Sequence, residues 1–182
     1  MASLTHVFLA GIDNSGPRHW QSQWSKRLSP SVWVEHSSWD EPVRDRWVAE
    51  LDSSLRSIQG PKLVIAHSLG CTLLAEWAAE HQDPDVVGAF LVAVPDVNGA
   101  NFPRQATGFD SARHGRLPFP SVVVASETDP YASVRSATAN AELFSSSLIN
   151  VGDKGHINEG SDLGDWQEGW THLHSRFPPA AR

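Results

Sequence analysis

The stretch "LVIAHSLGCTLLAEW", residues 63–77, decides the fold. It opens as an unbroken apolar run, the pattern of a strand covered on both faces, and continues with helical periodicity. Ser68 stands at the junction, with His67 before it and Leu69-Gly70 after it. Two residues to either side lie small residues, Ala66 and Gly70, which let strand and helix pack without Cβ clashes. A small-x-Ser-x-Gly run between a strand and a helix reads as a nucleophile elbow, a turn so tight that the serine backbone is strained. Ala66 departs from the glycine usual at that position. The competing reading is a serine that only caps the following helix.

Outward from this turn, short apolar runs alternate with longer amphipathic ones. Strands are expected at 5–11, 32–36, 62–67, 88–94, 121–126 and 147–152. Helices are expected at about 17–28, 42–58, 69–81, 131–143 and 164–175. Such alternation implies right-handed βαβ units, a mostly parallel sheet of about six strands, and helices on both faces. The fold class is therefore a single-domain three-layer α/β/α sandwich over residues 1–182. The stretch 95–119, rich in Gly, Pro and Asn, lacks either period and is long enough to be a substrate wall or a short lid. The tail 177–182, with its Pro-Pro pair, is expected to fray.

Composition narrows the function. With 40% hydrophobic and 19% charged residues the chain is globular rather than disordered. A net charge of -7 disfavours nucleic acid and anionic membrane as partners. No run approaches the ~20 apolar residues of a membrane span, and "MASLTHVFLAG" lacks the basic start of a signal peptide. Cys71 is the sole cysteine, so no intrachain disulfide forms and a reducing cytoplasm fits. Nine histidines invite a metal reading, but His172 and His174 are two apart on a helix, unlike the four-residue spacing of zinc helices. No metal or other cofactor is expected. Of eight tryptophans, Trp20, Trp24, Trp47, Trp77, Trp166 and Trp170 fall on expected helices and read as core, while Trp39 falls in a loop and is free to line a pocket.

A serine hydroxyl is unreactive until a base takes its proton, and the base must be oriented by an acid. After an elbow of this kind the chain order is Ser, then Asp or Glu, then His, each in a loop after a strand. Asp129 follows the strand 121–126 in "ETDPY", and His156 follows the strand 147–152 in "DKGHIN". Asp96, one strand earlier, is a rival acid, and Glu127 a weaker one. Two backbone N–H groups must meet the developing oxyanion. Leu69, at a helix N-terminus, supplies one, and the loop "GIDNSG" supplies the other through Ile12, with Asp13 next in order. His67 reads as support for the elbow by packing or hydrogen bonding, and His19 as a cap or packing residue.

Four segments carry a family resemblance: "GIDNSGPRHWQSQW" (11–24), "AHSLGC" (66–71), "LPFPSVVVASETDPY" (117–131) and "GHINEGSDLGDWQEG" (155–169). The chain resembles the small serine hydrolases of the α/β-hydrolase superfamily that include retinoblastoma-binding protein 9-like and bacterial YdeN-like esterases. The resemblance implies Ser68 as nucleophile, Asp129 as acid, His156 as base, and a six-stranded sheet lacking the first two strands of larger hydrolases. The expected activity is a carboxylesterase acting on small esters with short acyl chains, without cofactor. Asp13, Trp39, Phe102 and Phe109 are the candidate pocket residues. Two alternatives stay open: amidase or peptidase chemistry on the same residues, and a protein-interaction module that keeps the fold. Cys71 reads as a buried small hydrophobe, close enough to Ser68 to be a candidate for inhibitory modification.

Overall fold

Six strands, β1 (Thr5–Leu9), β2 (Ser31–Trp33), β3 (Lys62–His67), β4 (Val86–Val92), β5 (Ser121–Ala125) and β6 (Ser147–Asn150), pair in the order β2-β1-β3-β4-β5-β6. All neighbours are parallel. The computed structural model describes residues 3–178. Four α-helices connect strands, α1 (Trp20–Arg27), α2 (Arg44–Ser57), α3 (Leu69–Glu80) and α4 (Val134–Phe144), and α5 (Gln167–Arg176) follows β6. The winding reverses between β1 and β3, which lie side by side, so the loops leaving their carboxyl ends diverge and open a crevice.

The sheet separates two cores, and strand alternation assigns each residue to one of them. Val7, Leu9, Val64, Ala66, Ala89, Leu91 and Val123 face α2, α3 and α4, against Trp47, Leu51, Leu55, Leu73, Trp77 and Phe144. Phe8, Leu63, Ile65, Phe90, Val92, Val122 and Val124 face α1 and α5, against Trp20, Trp24, Trp166 and Leu173. Because both parities are buried, these strands read in sequence as continuous apolar runs. Trp20 and Trp24, four apart, share one face of α1, and their rings meet at 4.5 Å. Of the six tryptophans expected in the core, five are buried. Trp170 is partly buried, with the Arg27 guanidinium 3.8 Å above its ring.

Element ends differ from the sequence expectation where side chains take over from the backbone ladder. Helix α1 begins at Trp20 rather than near 17, because the His19 ring accepts the Gln21 N–H and caps it there. Helix α4 begins at Val134, capped by Ser133. The segment 95–119 is irregular but anchored. Thr107 bridges to Val43, and Phe109, Leu117 and Phe119 are buried in the core. The Glu76 carboxylate on α3 accepts the Asp110 N–H at 2.8 Å, lies 3.3 Å from His114 Nε2, and pairs with Arg44 of α2 at 3.0 Å. Burial alone would push this carboxyl up, but those partners together hold it below the usual glutamate range. A buried charge with this many partners is tolerated, and it ties the segment to the helix layer. At the other end of the chain, Phe177 packs against the α1/α5 core rather than fraying, and residues 179–182 of the expected tail lie outside the described residues.

Candidate active site

Ser68 adopts φ 52° and ψ -125°, a conformation L residues rarely occupy. The surroundings over-determine it. Its N–H extends the ladder to Val92 O at 2.9 Å, and helix α3 begins at the next residue. A Cβ on Gly70 would stand 2.5 Å from Leu9 O and 2.8 Å from Ala10 O, so only glycine lets the helix start against the end of β1. A Cβ on Gly11 would stand 2.9 Å from Ser68 Cβ. The bare Gly11 backbone therefore brings the loop after β1 directly onto the serine. Ala66 is fully buried, paired in register with Leu9 of β1 and Leu91 of β4. Ser68 makes no side-chain capping bond. Its Oγ lies 2.8 Å from His156 Nε2.

The other two residues come from adjacent strand ends. Asp129 follows β5, and its carboxylate accepts the His156 Nδ1–H at 2.9 and 3.0 Å. Its side chain is 2% exposed, and Oδ1 also accepts the Tyr131 N–H at 2.9 Å, which fixes the carboxylate plane. The two loops are stitched together. Ser126 Oγ accepts the Lys154 N–H, Thr128 Oγ1 accepts the Gly155 N–H, and Thr128 donates to Asp153. Neither rival acid reaches His156: Asp96 accepts the Asn98 N–H and Glu127 accepts from Asn150.

Above Ser68 lies a cavity of about 280 Å³. Ile12, Leu69, Pro95, Phe102, Pro103 and Tyr131 make its apolar wall, and Asp13, Asn14, Asn158 and Glu159 its polar one. The Ile12 and Leu69 N–H groups have no acceptor among the described residues, whereas the Asp13 N–H is used by Trp39 O at 2.8 Å. Asp13 and Phe102 thus line the cavity. Trp39 and Phe109 do not, and these two expectations are corrected. The Trp39 ring turns to His36 and Trp47, at 4.9 and 5.7 Å. Phe109 is drawn inward beside the anchored Asp110 and meets Trp47 edge-on at 6.3 Å. Cys71 is also corrected as a modification site: it is fully buried, its thiol donates to Val92 O, and burial pushes its ionisation far up. Tyr131, Asn158 and Glu159 were not singled out from sequence. Their signal was adjacency, since "ETDPY" and "GHINEG" carry them next to Asp129 and His156. Among the described residues no group of three or more His, Cys, Asp or Glu is placed to hold a metal ion, and no helix is long and apolar enough to cross a membrane.

One imidazole adjoins His156 and a third adjoins that one. The His67 ring is 4.9 Å from the His156 ring, and His19 is 4.7 Å from His67. Burial lowers His19 to about 3, with His156 nearby adding to the effect. Burial likewise holds His67 well below the ordinary histidine range, reinforced by His19 and His156. Both stay neutral in the folded chain while the unfolded chain takes up protons below about 6.5, so their contribution to stability is complete above that pH and lost as pH falls. Each withdraws up to about 1.4 kcal/mol per pH unit. The carboxylates held low, Glu76, Glu50 and Asp52, begin to lose theirs only below roughly pH 4.5. Urea unfolding at pH 7, 6 and 5 should therefore show stability falling across this window, with a shallower slope in His67→Gln. A stability independent of pH over that range would contradict the neutral, buried assignment.

A parallel six-stranded sheet with a strained serine at the turn after β3, and histidine and aspartate at the following strand ends, defines an α/β-hydrolase. A sequence model of the family described as serine hydrolase matches residues 6–175. The chain belongs to that serine hydrolase family. Among solved structures it is similar to a YdeN-like hydrolase from Pectobacterium atrosepticum, at 29% identity and TM-score 0.84, over 96% of this chain and 90% of that one. It is also similar to the ydeN gene product of B. subtilis, at 19% identity and TM-score 0.77, over 97% and 99% of the two chains. Est1E from Butyrivibrio proteoclasticus, solved with ferulic acid bound, shares the fold at 9% identity and TM-score 0.69, over 97% and 90%. No curated protein sequence matches this chain.

Proposed function

We propose that the chain is a carboxylesterase for small esters with short acyl groups, working through an acyl-enzyme on Ser68. The observation that carries the reading is the unbroken hydrogen-bonded line from Ser68 Oγ through His156 to Asp129. Ser68 Oγ attacks the ester carbonyl while its proton passes to His156 Nε2. Asp129 holds the tautomer with the proton on Nδ1 and stabilises the imidazolium that forms. The Leu69 and Ile12 N–H groups receive the oxyanion, the first aided by the N-terminus of α3. Collapse expels the alcohol, protonated by His156, and water then releases the acid by the same steps in reverse roles. A cytoplasmic location belongs to the same reading, supported by the single, buried cysteine.

Acyl size follows from what lines the cavity. Of the large apolar residues in 95–119, Phe109, Leu117 and Phe119 are spent on the core, leaving Phe102 with Pro103 at the cavity. A chain can gain about 0.8 kcal/mol per methylene only until that wall ends. The Glu76 anchor at Asp110 and His114, with the Asn101 side-chain amide donating to Pro130 O beside the wall, favours a fixed wall over a closing lid. For p-nitrophenyl esters kcat/KM should peak between acetate and butyrate or slightly beyond, decline for long chains, and show no jump above the critical micelle concentration. A preference for long chains would overturn the short-acyl reading, and comparable turnover of matched anilides would replace esterase by amidase.

A further inference from the structure

His156 lies in neither helix nor strand, on the stretch between β6 and α5, so something outside that stretch must hold it. Its amide side is tied to the acid loop through Ser126 and Thr128. Its carbonyl side is tied to the end of β3 and to the start of α1. His67 Nε2 lies 2.9 Å from the carbonyl oxygen of His156, and Trp20 Nε1–H donates to that of Ile157 at 2.8 Å. Ile157 is fully buried at φ 49°, a genuine outlier for a β-branched residue, so the turn needs outside constraint to persist. We propose that His67 and Trp20 are positioning residues for the base: their ring N–H groups, donated to two successive carbonyls, aim the His156 imidazole between Ser68 and Asp129. This rests on the assignment of His156 as the base.

The chemistry of the two donors fits that role. A carbonyl buried beside a base that becomes an imidazolium needs a neutral donor, because a Lys or Arg there would oppose the charge that forms. The carbonyl of His156 accepts only from a protonated Nε2, so the His67 proton sits on Nε2 and Nδ1 is left bare. His19 supports this from behind. Its Nδ1 accepts the Gln21 N–H at 3.1 Å, which fixes its ring, and that ring meets His67 edge-on at 4.7 Å. Both His19 and His67 are 4% exposed. The adjacent His19 and Trp20 thereby act on the base loop together, one packing the donor and the other being a donor.

The test compares Trp20→Phe, which keeps an aromatic ring, though a smaller one, and removes the N–H, with His67→Leu and His67→Gln, the last restoring an amide donor. Turnover of p-nitrophenyl acetate is read beside the low-field proton resonance of His156 Nδ1–H. Trp20→Phe and His67→Leu should each lower kcat about 10- to 100-fold, the scale of a misaimed catalytic group, with KM little changed. The low-field resonance should broaden or move in both, and His67→Gln should recover kcat and resonance. If His67→Leu does not fold, Trp20→Phe decides. A folded Trp20→Phe with unchanged kcat and unchanged resonance overturns the inference, even if its Tm falls. A wild-type chain inert toward esters would sink the esterase reading, and the resonance would still decide this one.

Discussion

Ser68→Ala and His156→Ala should each lower kcat for p-nitrophenyl acetate by about 10⁴- to 10⁶-fold, and the double variant should be little worse than either. The reason is geometric. Ser68 Oγ and His156 Nε2 are 2.8 Å apart and share one proton, so removing either end abolishes the same event. Folding should survive both changes. Ser68 makes no capping bond that alanine would lose, and the strained backbone at φ 52° is set by Gly11, Gly70 and the Val92 carbonyl. Thermal unfolding should therefore stay cooperative while activity disappears. Wild-type turnover in Ser68→Ala would show that the strained turn serves some other purpose.

The second large effect separates the two aspartates. Asp129→Asn should lower kcat by about 10⁴-fold with the fold intact, because an amide NH₂ facing Nδ1 forces the imidazole proton onto Nε2, where it blocks acceptance from Ser68. Asp96→Asn should leave kcat within a few-fold. Asp96 follows β4, but its carboxylate is turned to the Asn98 N–H and lines no part of the cavity over Ser68. The reverse ranking would mean that the acid acts from the end of β4.

How much of this was legible in the sequence depends on which interactions decide each feature. The four central strands of the sheet were legible because burying both strand faces leaves continuous apolar runs. The turn at Ser68 was legible because the close approach of Gly70 to Leu9 O forbids a Cβ. The order Ser68, Asp129, His156 could be read because each stands just past a strand. Loop interiors were harder. Nothing in the spacing of 95–119 says that Glu76, on a distant helix, anchors Asp110 and so draws Phe109 into the core and away from substrate. Trp39 was misread for a similar reason, since its ring finds His36 and Trp47 through tertiary packing. The donor roles of His67 and Trp20 toward 156 and 157 span 89 and 137 residues of sequence, and no local pattern encodes them.

The central claim is that Ser68 is the nucleophile, and it is tested most directly by labelling the intact protein with a fluorophosphonate probe and locating the adduct by mass spectrometry of its peptides. A hydroxyl hydrogen-bonded to an oriented imidazole, beside two unengaged backbone N–H groups, should take the probe covalently while the other serines do not. The account predicts one phosphonate per chain, on Ser68, and none in Ser68→Ala. A folded wild-type protein that takes no label, or takes it on another residue with Ser68 untouched, would contradict it.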